Sequence, residues 1–317
     1  MIVNKRSVLK TAMVNDKEPG TSQPISWTSQ YGSITFNRVG RELPFGGMNE
    51  AGLVVEQMML FETKYPGPDS RPYTNDFQWI QYQLDNFSTV EEVIASDSKL
   101  RITDMLRGPG QHYLVGDRRG NCAAIEFING KLVYHTEKSM PIKVLSNRTY
   151  AECIKYWEQS ELPIWDYSDA VKRFTKAADM VKHYNPVTSG PAVDYAFDIL
   201  KNVAQKGAYF TTGRSTVYDI KNLRIYFRTF EKEQIRYADL SSFDFSCKTP
   251  VKVLYFNDDL RGDVSKNFIN YTYEINRDMI KKEAPDISDE DLNALAHYPE
   301  TTKCTEVLFT TTIDNQK

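Results

Sequence analysis

Four cysteines and four histidines are the side chains in this 317-residue chain most able to do covalent or metal chemistry. Cys122, Cys153, Cys247 and Cys304 lie far apart and form no CxxC pair. Neither a zinc site nor a redox dithiol is written there, and a chain of this length needs no disulfide scaffold. The expectation is four small core hydrophobes. His112, His135, His183 and His297 show no pair at a metal-ligand spacing, so no metal and no cofactor is expected. A Cys–His nucleophile pair could meet only through space, and no spacing selects one. HExxH, GxGxxG after a strand, the P-loop, GxSxG and the EF-hand loop are all missing from the sequence. Glu56 and Gln57 stand out as polar residues inside an otherwise apolar run.

The elements that must position such residues are legible in part. VLKTAM (8–13) and SITFNRV (33–39) read as strands, joined by a polar link. GGMNEAG (46–52) reads as a turn, and LVVEQMMLF (53–61) as a strand covered on both faces. FETKYPGPDSRPYTN (61–75) is a Pro- and Gly-containing loop long enough to border a pocket. Phe77, Ile80 and Leu84 stand at helical spacing in the helix that follows. STVEEVI pairs Ser88 with Glu91 as a capping box, each side chain meeting a free amide of the first turn. HYLVGD, NCAAIEF and KLVYHT form an antiparallel meander, with Asn129-Gly130 suited to a type I′ turn. Helices are expected over 168–181, 190–205 and 263–281, the last with Val264, Phe268, Tyr271, Ile275 and Met279 on one stripe. Another begins at Ser288. Strands return at 215–220 and 223–230. Strands, helices, strands, helices in that order predict an α+β fold.

Bulk composition narrows the class. Apolar residues make up 41% of the chain, enough for a sizeable core. Basic and acidic side chains number 39 and 42, a balance with no nucleic-acid or anionic-membrane footprint. No apolar stretch reaches the ~20 residues of a membrane span.

Two stretches, WTSQYGSITFNRVGRELPFGGMNEAGLVVEQMML and RPYTNDFQWIQYQLDNFSTVEEVI, resemble the linear amide C–N hydrolases. That family includes choloylglycine (bile-salt) hydrolases and penicillin V acylases. HYLVGD, AAIEFINGKLVYH, VLSNRTY and TVYDIKNLRIYFRT follow in the family's order. The likeness fades towards the C-terminus, and GMNEAGL together with LSN carries most of it. What it implies is an N-terminal nucleophile hydrolase: an αββα sandwich of two antiparallel sheets flanked by helices, its first strands missing. Residues 1–317 would be one such domain, with 255–317 a helical C-terminal extension.

The implied chemistry starts from a mature N-terminal Cys whose own α-amine, titrating near ~8, is the base. Its thiolate attacks an amide carbonyl, and water then frees the acyl group. In the family a segment resembling VVNKRGVKKTA follows the strands that carry this Cys. Here the chain opens with MIVNKRSVLKTA, so the Cys-bearing front is expected to lie outside the chain, and none of the four cysteines takes its place. Asn147 matches the Asn that donates into the oxyanion hole; by itself it is equally a turn Asn in an Asn-x-Thr sequon with Thr149. Arg173 matches an Arg that positions the catalytic groups, or is a solvated helix Arg. Met59 stands where the family has Asn or Tyr, and Met offers no useful donor. It is therefore pocket wall or core. Met58, Leu60, Phe61 and Tyr65 line an acyl pocket or belong to ordinary core.

The first reading is thus a hydrolase of a small-molecule amide: a conjugated bile salt, a penicillin side chain or an N-acyl amine. The chain as given would be inactive. The alternative is a catalytically inactive remnant or a ligand-binding protein on the same fold. Resemblance also implies a homo-oligomer, a tetramer. No nucleic-acid partner and no membrane insertion is expected, and a soluble chain could be cytoplasmic or exported.

Overall fold

The computed structural model describes residues 1–13, 22–105, 109–159, 168–207, 211–255 and 259–306. Its first part lays down β1 (Ile2–Asn4), β2 (Val8–Thr11), β3 (Ser26–Thr28), β4 (Ser33–Asn37), β5 (Pro44–Asn49) and β6 (Val54–Met59). Most of the polar link between the first two expected strands falls outside the described residues. There follow β7 (Tyr73–Asn75), α1 (Asp76–Asn86), α2 (Val90–Ala95) and β8 (Arg101–Thr103). The meander is β9 (Gln111–Gly116), β10 (Cys122–Ile128) and β11 (Lys131–Thr136). Helices α3 (Tyr150–Gln159), α4 (Ser168–Lys182) and α5 (Ala192–Asn202) precede β12 (Arg214–Asp219), β13 (Arg224–Thr229) and β14 (Arg236–Asp239). The chain closes with β15 (Lys252–Val253), β16 (Gly262–Asp263), β17 (Ile269–Asn270), α6 (Tyr273–Glu283), α7 (Asp289–His297) and β18 (Lys303–Cys304).

Among the described residues, nine strands form one antiparallel sheet in the order β11-β10-β9-β6-β5-β4-β1-β15-β17. A second sheet runs β12-β13-β14-β16, and its last pair is parallel rather than antiparallel. Side chains alternate across the large sheet. Val55, Tyr113, Val115, Ile125 and Phe127 face α1 and α2, where Trp79, Ile80, Leu84, Val90 and Val93 meet them. On the other face Ile34, Phe36, Met48 and Val54 meet Ile225, Phe227 and Ala238 of the second sheet. Ala124 on that face meets Tyr150, Val171 and Phe174 of α3 and α4. Each fully buried large apolar side chain of these layers contributes about 1.5–3 kcal/mol relative to exposure. The result is the expected α+β arrangement of two sheets flanked by helices.

Local chemistry explains most element ends. Asn129 and Gly130, with φ of 53° and 76°, make the β10–β11 turn. The capping box lies one residue later than expected. Thr89 accepts from the Glu92 amide and the Glu92 carboxylate accepts from the Thr89 amide, while Ser88 adds a further bond to Glu92. Gly46 and Gly47 belong to β5 rather than to a turn. A Cβ on Gly46 would meet the Glu56 carboxyl at 2.4 Å, so a larger residue there would force that side chain to move.

Two expectations fail in the C-terminal part. The stripe over 263–281 is not one helix. Val264 and Phe268 enter the core between the sheets from around a short 3₁₀ turn (Ser265–Asn267), and β17 pairs with β15. Helix begins only at Tyr273, where Thr272 accepts from the Ile275 amide at 3.3 Å. Nor are all four cysteines core hydrophobes. Cys247 and Cys304 form a disulfide with a Cα–Cα distance of 5.4 Å, because β18 pairs with β2 and brings distant segments together. Among the described residues no helix is long and apolar enough to cross a membrane.

A charged cluster is enclosed between β2, α1 and the β4–β5 loop. The Lys10 ammonium lies 2.6 Å from Glu42 Oε2 and 2.9 Å from Asp85 Oδ2. Arg41 adds a contact to Glu42 at 3.2 Å, and the Trp27 indole donates to Asp85 at 2.7 Å. Burial pushes Lys10 towards the neutral form, and the Asp85 and Glu42 charges more than reverse it, leaving its ammonium above the ordinary range.

Candidate active site

The segment Ser146–Thr149 is a turn entering α3, and it is pinned before Asn147 is used. Ser146 Oγ donates to the Ala170 carbonyl of α4 at 2.9 Å. Glu126 on β10 accepts from the Tyr150 amide, the first of α3, at 2.8 Å. The same carboxylate oxygen lies 3.1 Å from His112 Nδ1, and both side chains are buried. His112 stands directly opposite Met58 in the β6–β9 pair. On the outer side, Arg148 bridges Glu62 at 2.5 Å and Glu152 at 2.7 Å, tying the loop after β6 to α3.

Within this frame Asn147 Nδ2 donates to the Met59 carbonyl at 2.9 Å, and its Oδ1 accepts from Arg173 Nη2 at 3.0 Å. Arg173 is held in turn by Asp169, whose Oδ2 accepts from Nε at 2.8 Å and from Gln205 Nε2 at 3.0 Å. Arginine only donates and a carbonyl only accepts, so the two ends of the Asn147 amide cannot exchange places. One N–H is spent on Met59 and the other remains available to an incoming oxygen.

A cavity of about 640 Å³ opens beside β6, lined in part by Glu56, Gln57, Met58, Arg214 and Thr216. Glu56 is hydrogen-bonded to the Tyr218 hydroxyl. Burial pushes its carboxyl up, against the opposing pull of Arg214 and Tyr218, which favours the neutral acid. The Arg214 guanidinium lies over the Phe36 ring, 4.5 Å from its centroid.

Asn147, Arg173 and the backbone of Met59 are therefore brought together. Of the proposed pocket residues, Met58 lines the cavity. Leu60 is fully buried, and Phe61 is 59% exposed. Tyr65 packs on Phe127 and accepts from the Gln111 amide. Sequence reasoning missed Asp169, Gln205, Glu126 and His112. Only the Asp169–Arg173 pair had a visible signal, its i,i+4 spacing.

The thiols are accounted for. Burial pushes Cys153 up to about 12 and Cys122 up to about 11, so neither ionises near neutrality. Cys247 and Cys304 are bonded to one another. Among the described residues no three His, Cys, Asp or Glu side chains are grouped to hold a metal ion.

Comparison with known proteins gives the architecture a family. Residues 2–162 match the model of the linear amide C-N hydrolases, choloylglycine hydrolase family. Penicillin V acylase of Pectobacterium atrosepticum is 28% identical over an alignment covering 70% of this chain and 69% of that one. The structure of penicillin V acylase from Agrobacterium tumefaciens superposes with a TM-score of 0.65 at 26% identity, covering 86% of this chain and 92% of that one. A variant of conjugated bile acid hydrolase from Clostridium perfringens superposes at 0.63 with 19% identity, covering 82% and 93%, a likeness of fold. With half of its length matched by the family model and its sheets and helices arranged as in these neighbours, the chain belongs to the choloylglycine hydrolase family of linear amide C–N hydrolases.

Proposed function

We propose that the corner formed by Met59, Asn147 and Arg173 is the carbonyl-binding half of an amidase site for a linear, non-peptide amide. One observation carries this: the Asn147 amide is clamped at both ends, leaving a single N–H for the oxygen of a substrate. A preorganised donor of this kind stabilises the tetrahedral oxyanion without reorganising at the moment of attack. The cavity beside Met58 is the space available to the acyl or amine portion. Candidate substrates are those of the family's types: a penicillin side chain, a conjugated bile salt or an N-acyl amine.

The attacking thiolate is the other half. Cys122 and Cys153 are held protonated and Cys247 and Cys304 are oxidised, so none of the four suits attack. We assign the nucleophile to an N-terminal cysteine that is not among these residues, its own amine acting as base. The 317-residue polypeptide then binds an amide without cleaving it. The state of the thiols equally favours the second reading, a ligand-binding protein on the same fold.

One series of assays separates the outcomes. Penicillin V, a glycine-conjugated bile salt and a simple N-acyl amine are offered to the 317-residue chain and to a form extended by an N-terminal cysteine segment of family type. Saturable binding by the former and turnover by the latter supports the amidase reading. Binding with no turnover by the extended form supports the binding-protein reading. Turnover by the 317-residue chain that disappears in Cys122→Ser or Cys153→Ser overturns the assignment of the nucleophile.

A further inference from the structure

At the other end of the nine-stranded sheet lies a second cavity, of about 740 Å³. Lys252, on its wall, stands on β15, four strand positions from β6. At ~4.8 Å per strand the two sites are separated by roughly 19 Å. Lys5, Lys252 and Lys266 all line this second cavity. Lys5 is only 3% exposed, yet its ammonium donates to the Asp244 backbone carbonyl and to Thr249 Oγ1, both uncharged acceptors. Lys252 donates to Asn270 Oδ1 at 2.7 Å, again uncharged. Among the described residues none of the three lysines forms an ion pair.

Two carboxylates share the wall, and each is hydrogen-bonded to its own loop, although Asp244 also attracts Lys5. Asp244 Oδ1 accepts from the Ser246 amide at 2.8 Å. Asp263 Oδ1 accepts from the Ser265 amide at 2.9 Å and its hydroxyl at 2.6 Å. Three cations against two anions leave one positive charge in surplus. Burial pushes the Lys5 ammonium below its ordinary range, and the Lys252, Arg41 and Arg6 charges add to that against the pull of Asp244. A bound anion would relieve both. The wall also has an apolar part: Phe243 and Phe268 stand edge-to-face with centroids 4.8 Å apart, beside Pro250.

We propose that this cavity is a separate binding site for a small organic monocarboxylate with an aromatic or alkyl body. The carboxylate sits among the lysine ammoniums and the body lies on Phe243 and Phe268. A single surplus charge suits a monoanion, and the aromatic wall rewards an apolar body that inorganic phosphate lacks. The volume falls within the range of small-molecule sites, about 300–1,000 Å³. The site does not depend on the amidase reading, although an acid freed from an amide belongs to this ligand class.

Isothermal titration of the 317-residue chain tests this with phenylacetate, with neutral 2-phenylethanol and with inorganic phosphate as competitor. Phenylacetate is expected to bind saturably, and 2-phenylethanol at least about tenfold more weakly. Lys252→Glu with Lys266→Glu weakens phenylacetate by about tenfold or more, while Arg173→Met leaves it unchanged. Unchanged binding in the double variant overturns the proposal. So does loss of binding in Arg173→Met, which places the ligand at the other corner, or displacement of phenylacetate by equimolar phosphate. Should the double variant fail to fold, Lys266→Gln on the exposed side carries the test. It is expected to weaken phenylacetate about threefold, and no change overturns the site.

Discussion

The Asn147 side chain shows how one residue acquires a direction. Its oxygen faces a guanidinium and its nitrogen a carbonyl, across sequence separations of 26 and 88 residues. Arg173→Met removes the charged donor, and the amide is then held by the Met59 carbonyl alone. A loss of about 1.5–3 kcal/mol is expected for a hydrogen bond to a charged group, less for a corner only partly buried. Proton NMR of the Asn147 carboxamide should show faster hydrogen exchange in Arg173→Met than in the parent. Asp76 offers a pH-dependent counterpart. Burial, with Asp104 nearby, raises its carboxyl from 3.8 to about 7. Between those values the folded chain holds a proton that the unfolded chain has released. Stability from this group is therefore complete below 3.8 and declines as pH rises to about 7, by at most about 4 kcal/mol. Asp76→Asn, which keeps the acceptor for the Met105 amide, should flatten that slope in urea melts between pH 5 and 8. Neither arrangement could be read from periodicity. Nothing local joins residues 59, 147 and 173, so Asn147 and Arg173 were legible only through family likeness, and nothing in the sequence marks Asp76 as buried.

Elements were legible where their signals are local. The Asn129-Gly130 turn fixes its hairpin because both residues accept positive φ. Helix α1 was found from Phe77, Ile80 and Leu84, all buried. The expected helix over 263–281 misled because Val264 and Phe268 obey helical spacing while tertiary burial draws them into the core between the sheets. Helix α3 went unread, and its start depends on a distant group. The Glu126 carboxylate caps the Tyr150 amide while holding His112. Glu126→Ala removes the acceptor and leaves the buried imidazole unsatisfied, at a cost of about 2–4 kcal/mol. Glu126→Gln retains an oxygen for the amide and should lose clearly less. Chemical denaturation orders the two variants, and equal losses would remove Glu126 from the account of how Asn147 is placed.

Across the whole molecule, the Lys10 cluster links three separate segments around charges that are almost fully enclosed. Lys10→Met fills similar volume but strands Asp85 above all, since Glu42 keeps Arg41. The expected loss is about 3–5 kcal/mol, read as a lower urea midpoint. A loss below ~1 kcal/mol would mean that the carboxylates simply take up protons instead. The charges themselves were visible in the sequence, but their meeting was not. Lys10, Glu42 and Asp85 come from β2, a loop and α1, and no pattern ties them together. The cysteines failed for a related reason: four of them allow three pairings, and chain length alone argued against any.

Strand β18 lies on β2, and the Thr305 amide reaches the Ser7 carbonyl at 2.8 Å. The small sheet β18-β2-β3 thus joins β2 to one neighbour close to it in sequence and to another far along the chain. Throughout synthesis of the residues between, β2 waits with one row of amides and carbonyls open. A nascent chain stalled before Lys303 would offer that row to any passing extended peptide, so the late arrival of β18 shields a strand laid down long before it.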